Sequence, residues 1–291
     1  MDSTVPGAIA AAIPQEAVTE AVRIALAEDI GARDLTAELL PDRQSAKATI
    51  ISREAAVFCG TPWANECFRQ LDPDIHICWA AREGESVQPG QTLCEIHGNT
   101  RAMLTAERCA LNFLQTLSAT ATITSQYVAA IAGTGAQIYD TRKTLPGLRL
   151  AQKYAVTVGG GQNQRMGLYD GILIKENHIA AAGSIEAALQ AAQDLAAGSE
   201  ISIQIEVENL SQLEAALDSG AQLILLDNFS LQGLRDAVKL ARKRAVLEAS
   251  GGISLEDVRD IAMTGVDRIS IGSLTKNLMA IDLSMRFTAQ P

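Results

Sequence analysis

Polar and apolar positions alternate over residues 46–51, which predicts a strand, while residues 15–27 and 63–70 read as helices. A second strand falls at 75–79. Turn signals at Arg82-Glu83-Gly84-Glu85 and Gln88-Pro89-Gly90-Gln91 cut the next stretch into short strands. This mixture suggests an α+β unit with an antiparallel sheet. Residues 100–132 contain no proline, and Leu104, Ala110, Leu111, Leu114 and Leu117 fall near helical spacing. One or two long helices are predicted there, joining this unit to the next.

After Gly135 the pattern becomes rhythmic. Short apolar runs occur at 136–139, 171–174, 201–207, 222–226, 245–247 and 268–271, most of them separated by helical stretches. Ser211 with Glu214, and Ser254 with Asp257 or Glu256, resemble capping boxes. Strand–helix alternation implies parallel strands joined by right-handed crossovers. An α/β barrel and an open doubly wound sheet both satisfy it.

The 291 residues, 47% hydrophobic, are enough for one large α/β domain or two unequal ones, each with its own core. The net charge of −10 argues against nucleic acid as a partner but not against a small anion met by a local cluster of cations. No apolar run approaches the roughly 18–20 residues of a membrane helix, so no membrane partner is expected. Residues 1–18 lack a basic leader and are interrupted by Pro14, so no signal peptide is expected. The five cysteines are odd in number, confined to the first 110 residues and form no CxxC. Reduced thiols in a cytoplasmic protein are expected, with no zinc or disulfide framework.

The chemistry gathers after the apolar runs of the second half. Tyr139 leads into Asp140-Thr141-Arg142-Lys143, Ile174 into Lys175-Glu176-Asn177-His178, and Ile205 into Glu206. Leu226 leads into Asp227-Asn228, Leu247 into Glu248-Ala249-Ser250-Gly251-Gly252, and Ile271 into Gly272-Ser273. In parallel α/β folds these positions share the carboxyl end of the sheet, where active sites are built. Arg142, Lys143, Arg165 and Lys175 suit a substrate carrying carboxylates or phosphates. Glu206 and Asp227 suit a divalent metal, sugar hydroxyls or a cationic transition state. The Ser250-Gly251-Gly252 and Gly272-Ser273 turns are expected to offer backbone N–H groups at helix starts to a phosphate. Gly159-Gly160-Gly161-Gln162-Asn163-Gln164-Arg165 is neither a Walker loop nor GxGxxG, and Arg165 marks it as a substrate-contacting loop. The three histidines, His76, His97 and His178, are scattered, so neither a metal–histidine cluster nor a hydrolase triad is expected.

These motifs, in order, resemble the quinolinate phosphoribosyltransferase family. The likeness runs through Glu28-Asp29-Ile30-Gly31, Glu107-Arg108-Cys109-Ala110-Leu111-Asn112, Thr141–Arg149, Lys153-Tyr154-Ala155-Val156 and the 159–165 loop. It continues through Leu173–His178, Glu206-Val207-Glu208-Asn209-Leu210, Leu226-Asp227-Asn228, Ser250-Gly251-Gly252 and Thr264-Gly265-Val266-Asp267. The resemblance implies an N-terminal α/β sandwich over residues 1–115, to which 280–291 return, and an incomplete α/β barrel over 116–279. It also implies a cytoplasmic homodimer with a shared active site. The implied reaction joins quinolinate to 5-phosphoribosyl 1-pyrophosphate with Mg2+, giving nicotinate mononucleotide, pyrophosphate and CO2.

By the same resemblance Arg142, Arg165 and Lys175 lie around the quinolinate carboxylates, with Arg108 reaching in from the partner subunit. Lys143 contacts the phosphoribosyl substrate. Glu206 and Asp227 face the ribose and its Mg2+, and Ser250, Gly251, Gly252 and Gly272 cradle the 5-phosphate. The family usually carries histidine where this chain has Gln164, which is expected to serve as a neutral donor to a substrate carboxylate. A relative with an altered acid pocket, or a silent ligand-binding module, are the competing readings. Retention of Arg108, Arg142, Arg165, Lys143, Glu206 and Asp227 argues against both.

Overall fold

The structure is a computed structural model that describes residues 13–288. The leader expectation concerns a stretch of which residues 1–12 lie outside that range. Two compact units emerge, and they do not follow the chain as two blocks. Among the described residues the first comprises 13–123, 145–160 and 277–288, and the second 124–144 and 161–276.

In the first unit, α1 (Gln15–Ile30) buries Val18, Val22 and Leu26, one per turn. β1 (Ser45–Ser52) alternates as its pattern predicts and buries Ala48, Ile50 and Ser52. β2 (Ala56–Val57), α2 (Thr61–Leu71), β3 (His76–Trp79), β4 (Ser86–Val87) and β5 (Thr92–Asn99) follow. The long helical stretch is one helix, α3 (Thr100–Ala130), and the unit boundary falls within it. β12 (Leu283–Phe287) pairs antiparallel with β1, placing Ile50 opposite Met285, and completes a four-stranded sheet of order β12-β1-β5-β3. One apolar cluster joins α1, α2, α3 and this sheet through Val22, Trp63, Phe68, Leu114, Ile50 and Ile96.

The implied barrel domain over 116–279 is interrupted. α4 (Arg149–Val158) belongs to the first unit, because Ala151, Ala155 and Val158 are buried in that same cluster. The Tyr154 ring lies 5.5 Å from Trp63, and its hydroxyl donates to Glu83 Oε2 at 3.0 Å.

The second unit is a six-stranded sheet. Its strands are β6 (Gln137–Tyr139), β7 (Gly171–Ile174), β8 (Ser202–Val207), β9 (Leu223–Asp227), β10 (Val246–Ser250) and β11 (Arg268–Ser270). Every pairing is parallel, in the order β6-β11-β10-β9-β8-β7. The order runs one way without the reversal of a doubly wound sheet, which decides for the barrel. Among the described residues no ladder joins β6 to β7, so the barrel is incomplete. The connecting helices are α5 (Glu176–Ala182), α6 (Ile185–Ala196), α7 (Leu210–Asp218), α8 (Leu231–Ala241), α9 (Val258–Ala262) and α10 (Ser273–Lys276).

Register separates the two faces of this sheet, since partners on parallel strands point the same way. Ile205, Ile224, Leu247, Ile269 and Ile138 share the apolar face. Glu206, Leu225, Glu248, Arg268 and Gln137 are aligned across the other face. The helix caps differ in one detail from the pattern. Asn209, not Ser211, caps α7 by accepting from the Gln212 N–H at 2.9 Å, whereas Ser254 Oγ accepts from the Asp257 N–H at 3.3 Å ahead of α9.

Candidate active site

Parallel pairing puts the carboxyl ends of all six strands at one edge of the sheet, and most of the sequence-predicted residues of the second unit end or follow a strand there, whereas Arg165 meets Gly171, the first residue of β7. Lys175 follows β7, and its Nζ lies 3.3 Å from Glu206 Oε2 at the end of β8. Asp227 ends β9 and is in register with Ser250, the last residue of β10. Asp227 is also near enough to Glu206 to act on its charge. Arg142 and Lys143 follow β6. The Lys143 stem crosses β11's exit, where a Cβ on Gly272 would stand 3.0 Å from Lys143 Cδ. The Lys143 backbone is held at both ends, its N–H donating to Thr141 Oγ1 at 3.0 Å and its carbonyl accepting from Thr275 Oγ1 at 2.8 Å.

Burial and charge tune this group. Glu206 is 12% exposed, and burial pushes its carboxyl above the ordinary range. The Lys175 ammonium pulls it back, while Asp227 and Glu176 push it up again. Burial and then the Arg142 charge lower Arg165, as two cations sharing a site must. A reaction that needs Glu206 ionised should show an acid limb of kcat/KM above the usual glutamate range. Lys175→Met should move that limb to higher pH, whatever it does to the plateau, and a pH–rate profile of the variant against wild type checks this.

The glycine turns differ from expectation in one respect. Ser250-Gly251-Gly252 does not open a helix: the two glycines form a bend, a turn at 255–257 follows, and α9 starts only at Val258. Gly272 does precede the single turn of α10. What shapes the first turn is the approach of Asn228, whose N–H donates to the Ser250 carbonyl at 2.9 Å. Asn228 also donates its side-chain amide to Asp227 Oδ2 at 2.8 Å.

The 161–165 loop is held from two sides. Its Gln162 bridges to Tyr139 beside β6. Fully buried Asp140 accepts from the Gln164 N–H at 2.8 Å and from Asn163 Nδ2 at 2.6 Å. Arg165 donates to the Gly171 carbonyl at 2.8 Å. The Gln164 amide, expected to meet a substrate carboxylate, instead donates to a carboxylate of the protein. Its Nε2 lies 2.5 Å from both oxygens of Glu248. Glu248 in turn accepts from Gln204 Nε2 at 3.0 Å, deep on the polar sheet face.

Glu248, Gln204 and Asp140 carried no assigned role in the sequence. Their signal was present: Ile203-Gln204-Ile205-Glu206 alternates in a strand that, in an all-parallel sheet, should be apolar on both faces. Arg108, expected at the site from the resemblance, is not in the second unit; it lies exposed on α3 in the first.

A one-way parallel barrel with cations, facing carboxylates and glycine turns at its carboxyl edge defines an enzyme for a multiply anionic, sugar-like substrate. Known proteins narrow the class. The family described as "Quinolinate phosphoribosyl transferase, N-terminal domain" matches residues 34–118, and its C-terminal counterpart matches 120–286. A probable nicotinate-nucleotide pyrophosphorylase [carboxylating] of Bacillus subtilis is 42% identical over 90% of each chain. The nicotinate-nucleotide pyrophosphorylase [carboxylating] of Mycobacterium leprae is 41% identical over 93% of this chain and 97% of its own. The solved structure of the Francisella tularensis nicotinate-nucleotide pyrophosphorylase superposes with a TM-score of 0.91 at 45% identity, covering 95% of this chain and 98% of that one. The chain belongs to the quinolinate phosphoribosyltransferase family.

Proposed function

We propose that this protein is a pentosyltransferase that joins quinolinate to 5-phosphoribosyl 1-pyrophosphate and releases pyrophosphate and CO2, forming nicotinate mononucleotide. The observation that carries this reading is the pairing of two opposed sets at one sheet edge. Glu206 and Asp227 form an acidic centre with Lys175 against it, Arg142 and Arg165 share a second, basic centre, and Lys143 lies beside Gly272. A phosphorylated sugar that becomes cationic, meeting a dicarboxylic acid, uses both sets at once.

Arg142, Arg165 and Lys175 hold the two carboxylates of quinolinate, together with Arg108 of the partner subunit in a homodimer. Arg108 is exposed on its helix, as that role requires. Lys143 meets the pyrophosphate end of the second substrate. Ser250, Gly251, Gly252 and Gly272 hold the 5-phosphate through backbone N–H groups and the serine hydroxyl. Two carboxylates fit a Mg2+ that arrives with its pyrophosphate, because such ions are bound by one or two carboxylates plus phosphate oxygens. Among the described residues there is no group of three or more His, Cys, Asp or Glu that could hold a metal. Glu206 and Asp227 would be its protein ligands, and bound there it would neutralise the leaving pyrophosphate.

The chemistry then follows from charge. As the C1–O bond to pyrophosphate breaks, the ribose ring gains positive charge, which Glu206 and Asp227 stabilise. The cations orient the dianion so that its ring nitrogen meets C1. The new N–C1 bond leaves a cationic pyridinium. The C2–carboxylate bond breaks, its electron pair stays on C2 beneath that cation, CO2 departs and C2 takes up one proton. No covalent enzyme intermediate is needed. The five free cysteines, four of them buried, suit a reducing cytoplasmic location. Among the described residues no helix is long and apolar enough to cross a membrane.

The test mixes purified protein with quinolinate, 5-phosphoribosyl 1-pyrophosphate and Mg2+ and follows nicotinate mononucleotide by absorbance, with nicotinate in place of quinolinate as control. Product from quinolinate alone is expected. No product, with the phosphoribosyl substrate still bound, would mean an acid pocket put to another use.

A further inference from the structure

The polar face of the parallel sheet contains a carboxylate that the proposed reaction does not touch. Glu248 is fully buried at the middle of β10. Gln164 Nε2 lies 2.5 Å from each of its oxygens, Gln204 Nε2 lies 3.0 Å from Oε2, and the Ser270 hydroxyl also meets it. Burying a carboxylate is costly, and a well-packed apolar side chain is commonly as stable or more so. What a buried, fully hydrogen-bonded carboxylate supplies is fixed geometry.

We infer that Glu248 is a positioning residue for recognition of the acid substrate: through Gln164 it fixes the backbone that presents Arg165. This rests on the reaction proposed above. Gln164 immediately precedes Arg165, so any turn of the Gln164 backbone is passed to the arginine. Asp140 grips that backbone from one side through the Gln164 N–H, and Glu248 grips the side chain from the other. Arg165 then reaches the Gly171 carbonyl with a single guanidinium nitrogen, leaving its remaining N–H groups to face a carboxylate. With its amide given to Glu248, Gln164 acts on the substrate through this hold and not by contact.

The geometry separates two roles that a single substitution would confuse. Glu248→Gln keeps the volume but replaces one acceptor oxygen by an NH2 group that must face the amide of Gln164 or Gln204. Gln164→Ala removes the other half of the same link. Each should raise the KM for quinolinate about tenfold while leaving the KM for 5-phosphoribosyl 1-pyrophosphate within about twofold. In the double variant the quinolinate KM should be no higher than in the worse single, because both changes cut one connection. Should Glu248→Gln not fold, Gln204→Met replaces it in the same cycle.

Additive increases would mean that Gln164 meets the substrate directly, and would overturn the inference. Parallel increases in both KM values, with a matching loss of thermal stability, would reduce Glu248 to a structural residue and overturn it as well. Active wild type with either result sinks this inference alone. Wild type that makes no product from quinolinate sinks the proposed reaction first, and the positioning role with it.

Discussion

Glu206→Gln should reduce kcat by about 10²–10³-fold, the loss usual for one preorganised electrostatic contact to a transition state. Coulomb's law gives the same scale, since two charges about 4 Å apart at an effective dielectric near 20 interact by about 4 kcal/mol. The obvious objection is that Lys175, 3.3 Å away, already cancels the Glu206 charge. The exposures decide against it: the Lys175 side chain is 46% exposed and water-screened, whereas Glu206 is 12% exposed and backed by the charge of Asp227. Lys175 therefore does not cancel the negative field of the Glu206–Asp227 pair. The variant should not lose stability. Burial raises the Glu206 carboxyl, so the folded state holds its proton more tightly than the unfolded state does. The stability linked to that proton is present at acid pH and falls as pH rises through the raised value. A neutral glutamine removes this penalty at neutral pH. Initial rates together with a thermal melt separate the two effects, and a kcat loss that merely tracks unfolding would refute the catalytic assignment.

Gly251→Ala is expected to be the most disruptive single methyl in the second unit. Gly251 has φ of +113°, and a Cβ there would stand 2.1 Å from Asn228 Oδ1, 2.8 Å from its Cγ and 3.0 Å from its backbone nitrogen. Asn228 cannot simply withdraw, because its own φ is +57° and its N–H is bonded to the Ser250 carbonyl. Strained backbone and forced overpacking together should cost about 2–4 kcal/mol. The neighbouring glycine is the control. Gly252 has φ of +60°, and a Cβ there would meet nothing within 4 Å, so Gly252→Ala should cost only about 1 kcal/mol of backbone strain. Equilibrium denaturation of the two variants measures the difference. If the Ser250–Gly252 turn holds the 5-phosphate, titration calorimetry should also show Gly251→Ala losing more than about tenfold in affinity for the phosphoribosyl substrate, since loops that bind anions do so through fixed N–H directions. Equal behaviour of the two variants would show that the Asn228 contact shapes nothing.

The rhythm of the second half was readable because each strand is short, apolar and followed at once by a charged residue or a glycine. That periodicity needs no distant information. The choice between barrel and open sheet did need it, and was made by β6 pairing with β11, the strand farthest from it along the chain within the sheet. The same limit explains α4. Its small buried residues, Ala151 and Ala155, suit either core, and only packing beside Trp63 assigns them to the first. The cations and acids of the strand ends could be named from sequence, but Gln164 could not be matched with Glu248, 84 residues away. Hydrogen-bond choices among several available acceptors are made by three-dimensional placement. Local sequence supplied the candidate donor and left its recipient open.

The chain enters and leaves the first unit more than once: residues 145–160 and 277–288 return to it after the barrel has begun and after it has ended. Neither unit is therefore a cassette that can be lifted out by a single cut. A fragment starting at the barrel's first strand would carry α4 with its apolar positions stripped of their cover, and would take β12 away from the edge of β1. Exchange between relatives would have to move three separated segments together for the first unit, or two for the second. No single break in the chain separates the two units.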